Sequence, residues 1–342
     1  MIFSKPIGIF FKFVIYLALQ PQKKIILISL ITGIILMLAK FVAYFATSSN
    51  AILTDAAESI VNVLASSFAF YSIYLAAMPR DKNHPYGHGK VEFFSVFVEG
   101  ILILIAGILI VFKSIYNLFF PHEIQTLLIG TIIIAVTGAI NFILGYYLIE
   151  QSRKLNSLIL YADGKHLQTD AYSSVGLVAG LLLIYFTGIH YLDSILSILL
   201  GLYIIYNGYK LFRKSIGGLM DESDFVVVKE VIDILNHNRK EAWIDVHNLR
   251  TQRYGNELHI DCHLTLPYYF DLVKVHEEVS EVDALINNKV RVKTELFIHS
   301  DPCLPQCCHY CRMADCPVRS EAKLKDITWT MDNITQNKKH FQ

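Results

Sequence analysis

Asp55, Glu58 and Asn62 occur at i, i+3 and i+7 in the stretch DAAESIVN, inside an otherwise apolar run. An ionisable group at membrane depth costs a few kcal/mol, so such residues are rare and usually mark function. A second polar stretch, KHLQTDAYSSVGLVAG, places His166 and Asp170 four residues apart, on one face of a helix. Glu58 and Asn62 have the same spacing. Two helices that turn these pairs toward each other present four donors around one point. Carboxylate, imidazole and amide donors in that number suit a tetrahedral divalent ion. A lone Asn or His would be read as hydrogen-bonding glue between helices. Two acids, a His and an amide at matched spacing point instead to a transport or binding site, with Asp55, one turn earlier, as an auxiliary group.

The elements that must hold these residues are long apolar helices. The chain has 342 residues, of which 54% are hydrophobic and only 18% charged, and its long apolar runs all fall before residue 216. A helical crossing needs about 20 mostly apolar residues. Stretches near 25–47, 52–78, 92–119, 124–149, 159–187 and 191–212 meet that requirement. They predict a membrane domain, an all-α six-helix transmembrane bundle over 25–215, preceded by a cytoplasmic amphipathic segment over 1–24 that Pro21 ends. Lys5, Lys12, Lys23 and Lys24, then Arg80, Lys82 and Lys90, then Arg153, Lys154 and Lys165, then Arg213 and Lys214 flank alternate ends of the crossings. The intervening short loops carry neither Lys nor Arg, so the positive-inside bias places both termini in the cytoplasm. The GxxxG of Gly176 and Gly180 allows close helix approach. Formal net charge is zero and gives no reason to expect a nucleic-acid partner.

Further donors lie outside the crossings. The loop MPRDKNHPYGHGK gathers Asp81, His84 and His88 into eight residues, a spacing suited to a loop metal site. Its HxxxH is not that of a zinc protease, because Pro85 and Gly87 interrupt a helix and no Glu stands beside the first His. Residues 216–302 change character, with an amphipathic helix over 225–240, two β-rich stretches joined by YGN, a second helix and a final strand. That αββαβ order predicts a small α+β domain. Five of six cysteines, Cys303, Cys307, Cys308, Cys311 and Cys316, crowd the start of a tail over 303–342. In a reducing compartment they favour metal over disulfides, enough thiolates for a structural zinc knuckle. The polar end beyond residue 320 is predicted to be mobile, and Cys262 to lie in the core.

DAAESIVN, HPYGHGK and HLQTD, in that order, resemble the cation diffusion facilitator family of divalent-metal/proton antiporters, in particular its bacterial zinc and iron exporters. The resemblance implies a homodimer in the bacterial inner or plasma membrane, with a ferredoxin-like cytoplasmic domain and alternating access that exports metal and imports protons. It places the transport site on Glu58, Asn62, His166 and Asp170, and the loop site on Asp81, His84 and His88. It also implies a regulatory metal site at His247, His263, His276, His299 and Asp301, and a positioning charge pair between Lys90 and Asp221. Zinc-type members carry Asp or His in place of Glu58 and Asp in place of Asn62, so this site holds one negative charge fewer. The imidazole favours Zn2+, Fe2+, Co2+ or Cd2+, with Zn2+ foremost, over Mg2+ or Ca2+. The expected function is therefore export, not enzymatic catalysis. The alternative is a membrane-anchored metal sensor.

Overall fold

A computed structural model describes residues 21–47, 50–120, 128–187, 191–255, 257–290 and 292–341. Of the expected amphipathic segment over 1–24, residues 1–20 lie outside them, and 21–24 belong to the first described helix. The chain divides into two compact units, Met1–Leu219 and Met220–Gln342.

The first unit contains six long helices: α1 (Pro21–Thr47), α2 (Asn50–Ala76), α3 (Val91–Phe119), α4 (Leu128–Leu155), α5 (Leu158–Thr187) and α6 (Tyr191–Leu219). Pro21 opens α1. Its missing N–H costs nothing at a position with no intrahelical partner. Among the described residues, Pro21–Val42, Val91–Phe119, Ile132–Leu155 and Ser194–Leu219 are long and apolar enough to cross a membrane. The first half of α5 carries Asp163, Lys165, His166 and Asp170.

The helices pair as α1 with α2, α3 with α6 and α4 with α5. Small residues permit the close approaches. A Cβ built on Gly145 of α4 would lie 2.8 Å from the Gly164 carbonyl oxygen of α5, and one on Gly164 would lie 2.9 Å from that of Gly145. Backbones touching at this point leave no room for any side chain and fix α5, two residues before His166, against α4. Gly176, from the GxxxG, faces Leu200 of α6.

The second unit runs α7 (Phe225–His237), β1 (Asp245–Tyr254), β2 (Glu257–Leu266), α8 (Leu272–Lys289) and β3 (Lys293–Pro302). Asp224 caps α7 by accepting hydrogen bonds from the Val226 and Val227 N–H groups, and Asp271 caps α8 through Lys274 N–H. The sheet order is β1-β2-β3, with β1 antiparallel and β3 parallel to β2. Val228, Val231 and Leu235 of α7, Leu258, Ile260 and Leu264 of β2, and Ile286 of α8 fill the core beneath it, and Cys262 is buried among them as expected.

The tail departs from expectation. Instead of being mobile, it folds back onto the sheet as part of the second unit. A one-turn 3-10 helix (Pro305–His309) and α9 (Met331–Ile334) punctuate it. Trp329 and Ile334 enter the domain core, and the Asn248 N–H donates to the Gln336 carbonyl at 2.8 Å. Buried Asp245 accepts hydrogen bonds from the Tyr310 hydroxyl at 3.1 Å and the His340 backbone N–H at 3.0 Å, and also pairs with the His340 ring. The polar composition concealed a few large apolar anchors spaced along an irregular strap.

Candidate metal centres

Three clusters of metal-type donors form, each from elements already defined. Between α2 and α5, the Asn62 amide donates to Asp170 Oδ2 at 2.5 Å, and His166 Nε2 lies 2.9 Å from Asn62 Oδ1. His166 Nε2 is 3.9 Å from Asp170 Oδ2. An ionised carboxylate only accepts, so the Asn62 NH2 must face Asp170 and its oxygen must face His166. The imidazole therefore carries its proton on Nε2. These hydrogen bonds occupy the same atoms that a cation would use. His166 Nδ1 is buried and has no hydrogen-bond partner among the described residues. Asp55 and Glu58 lie on α2, but their side chains are outside the described set.

One turn before His166, Asp163 is buried and accepts from the Ser29 hydroxyl at 2.6 Å and the Ser66 hydroxyl at 2.9 Å. It ties α5 to both α1 and α2 just beneath the donors. Sequence reasoning missed Asp163, although an acid seven residues before Asp170 in a crossing was itself a signal. Lys40, for which no chemistry was expected, donates to Ser59 Oγ at 2.9 Å, linking α1 and α2. Glu99 is buried within α3.

The loop after α2 folds around Asp81. Its Oδ1 accepts the backbone N–H groups of Asn83 at 2.9 Å and His84 at 2.7 Å, and His84 Nδ1 lies 3.1 Å away. His88 Nε2 is 3.4 Å from Asp81 Oδ2. One donor atom from each of the three residues lies within 4.8 Å of the others. The His84 backbone N–H foremost, with further hydrogen bonds from the His84 ring and the Asn83 N–H, holds the Asp81 carboxyl below its ordinary range. Asp81 therefore stays ionised over a wider range of acid pH than a free carboxylate.

In the second unit the register of the sheet builds the third cluster. His247 pairs directly with His263 across β1 and β2, and His263 with His299 across β2 and β3. Asp301, two residues beyond His299, shares its strand face. Asp301 lies 3.4 Å from His247 Nε2, 3.3 Å from His263 Nδ1 and 3.5 Å from His299 Nε2. A register shift follows His247, where Asn248 takes a positive φ of 54°. Such bulges re-aim side chains at functional positions. His276 does not join the cluster within this chain and stands exposed on α8. The Lys339 ammonium, delivered by the tail, is 3.8 Å from Asp301 Oδ2. Among the cysteines of the tail, Cys307 and Cys311 are buried, and Cys303, Cys308 and Cys316 half-buried.

With this geometry the chain can be compared with known proteins. Residues 26–220 match the model of the cation efflux transmembrane domain, and 224–303 that of the cation efflux cytoplasmic domain. The chain belongs to the cation diffusion facilitator family. It is 31% identical over 266 residues to an uncharacterised transporter of Synechocystis, covering 77% of this chain and 86% of that protein. It is 26% identical to protein p34 of Rickettsia prowazekii, covering 82% and 92%, and 25% identical to the cation-efflux pump FieF of Cronobacter sakazakii, covering 79% and 89%. The six-helix membrane region and the small α+β domain agree with that family's architecture. A family of cation efflux transporters integral to membranes accounts for buried polar donors in α2 and α5.

Burial, more than any neighbouring charge, pushes the His247 imidazole below its ordinary value. An unfolded His takes up a proton near pH 6.5, which the folded one resists, so stability rises with pH through that region. In metal-free protein, the unfolding midpoint of the second unit is expected to fall as pH drops from about 7.5 to about 5.5. Both tryptophans, Trp243 and Trp329, lie in this unit, so their fluorescence reports it selectively. His247→Gln should flatten the pH dependence. An equally steep profile in that variant would assign the effect to another group.

Proposed function

We propose that this member of the cation diffusion facilitator family exports divalent transition-metal cations, Zn2+ foremost and Fe2+, Co2+ and Cd2+ also, from the cytoplasm in exchange for protons by alternating access. The observation that carries the reading is the mutual hydrogen bonding of Asn62, His166 and Asp170 across two helices at membrane depth. A cation entering there displaces the His166 Nε2 proton and takes the carboxylate of Asp170, with Glu58 as the fourth donor. Entry of protons from the opposite side restores the hydrogen bonds and releases the ion. Imidazole is suited to this exchange because its ordinary pKa is about 6.5.

Asp81, His84 and His88 form a second metal site at the head of α3. His247, His263, His299 and Asp301 form a regulatory site, which His276 of a second copy completes in a homodimer. Both termini face the cytoplasm of a bacterial inner or plasma membrane. The printed name of the Cronobacter relative, a cation-efflux pump, supports the direction of transport. Flux in proteoliposomes under an imposed pH gradient, measured over a panel of divalent ions, tests the reading. Metal movement that follows the proton gradient is expected. The regulatory cluster by itself also fits a membrane-anchored sensor, and metal-responsive quenching without any flux would select that reading.

A further inference from the structure

The tail carries a fourth set of donors, chemically unlike the others, of which all but Cys303 lie beyond the last family-matched residue. Cys303, Cys307, Cys308, Cys311 and Cys316 all line one cavity of about 120 Å3. That is too small for a drug-sized organic ligand, whose pockets run to about 300 Å3 or more. Free cysteine often serves as a small core hydrophobe. That accounts for Cys307 and Cys311, which pack with Ile244 and Tyr310, and for Cys303, which packs against them. It does not account for Cys308 and Cys316, two further half-buried thiols lining the same hole, in a stretch whose one regular element is a single 3-10 turn.

Hydrogen bonds fix the loop around the sulfurs. The Leu304 N–H points at Cys307 Sγ at 3.4 Å, and the oxygen of the Tyr310 hydroxyl, whose proton goes to Asp245, lies 3.5 Å from the same sulfur. The Arg319 guanidinium bridges the carbonyl oxygens of Cys308 at 3.3 Å, Cys311 at 3.5 Å and Met313 at 2.5 Å, fixing the turn and setting a positive charge beside the sulfurs. The sulfurs are absent from the donor clusters that converge within 4.8 Å, so they ring the cavity without meeting at its centre. Zinc–sulfur bonds of about 2.3 Å would draw four of them inward and fill it.

We propose that Cys307, Cys308 and Cys311, closed by Cys303 or Cys316, bind a thiophilic d10 divalent cation, with Zn2+ the resident ion, in a tetrahedral all-thiolate site. This site is separate from the oxygen- and nitrogen-rich transport and regulatory centres and does not depend on the transport reading. An ion here locks the knuckle that presents Tyr310 to Asp245 and returns the tail to the sheet.

Full-length protein in detergent, reduced and free of oxygen, is titrated with Co2+ as a spectroscopic probe. A sulfur-to-cobalt charge-transfer band with intense tetrahedral d–d absorption is expected to saturate at one ion per chain and to be bleached by Zn2+. The double variant C308S/C316S should weaken that binding at least ~10-fold, because losing a ligand exceeds the loss of an outer partner, whereas Cys262→Ala should leave the band intact. No charge-transfer band in the wild type, or an unchanged band in the double variant, overturns the proposal. So does a thiol count showing four of the five tail sulfurs held in disulfides in protein purified under reducing conditions. Should the double variant fail to fold, the wild-type spectrum decides alone.

Discussion

Asp170→Asn is expected to reduce metal uptake into inverted vesicles by about two orders of magnitude or more while the protein still reaches the membrane. An outer-shell partner is worth about 10–100-fold in metal affinity, and an anionic ligand is worth more. Asn is nearly the same size and can still hydrogen-bond to the Asn62 amide, 2.5 Å from the present carboxylate, so helix packing survives. What disappears is the one ionised donor seen in the cluster and its pull on the His166 proton. The converse change, Asn62→Asp, places two carboxylates in contact. Their repulsion raises the site's affinity for protons and for divalent metal alike. Flux should then need a higher pH to reach half its maximum, and selectivity should shift among Zn2+, Fe2+ and Cd2+. Wild-type uptake by Asp170→Asn at normal expression would remove α2 and α5 from the transport path.

Trp329→Ala is expected to destabilise the second unit by about 3–5 kcal/mol, the usual cost of truncating a large buried aromatic. Trp329 is only 1% exposed and lies in the main core although it belongs to the tail. The Arg239 guanidinium stacks 4.0 Å from its ring while donating to the Ile327 and Ile244 carbonyls at 2.6 Å each. The Asn236 side chain brackets the Trp329 backbone, donating to its carbonyl at 2.7 Å and accepting its N–H at 3.2 Å. Removing the indole therefore leaves a cavity beside a desolvated cation, and stacking adds to the loss. Urea unfolding followed by the remaining Trp243 fluorescence measures the change. A midpoint shift equivalent to less than about 1 kcal/mol would mean that the tail is dispensable to the fold.

Much of this was legible from residue order. Six apolar runs and the polar interruptions within two of them were enough to locate the helices and to pick out Asn62, His166 and Asp170. A membrane helix has to bury its own backbone polarity, so its length and the face on which polar side chains occur are properties of local sequence. His299 and Asp301 are reached through the family resemblance rather than through strand periodicity. Fold order in the second unit, αββαβ, followed from local periodicities.

What required tertiary structure is everything set by contacts between distant segments. Ser29 and Ser66 hold Asp163 from two other helices, across 134 and 97 residues of chain, and no local pattern joins them. Strand register decides that His247, His263 and His299 stand in line, since a shift of one residue would turn each to the opposite face. The tail is the clearest case. Local composition there is polar and aperiodic, yet a few widely spaced anchors, Tyr310, Trp329, Ile334 and His340, each find a complementary place on a sheet formed nearly a hundred residues earlier. Periodicity registers continuous faces, whereas a strap held at isolated points is stabilised by what it lands on.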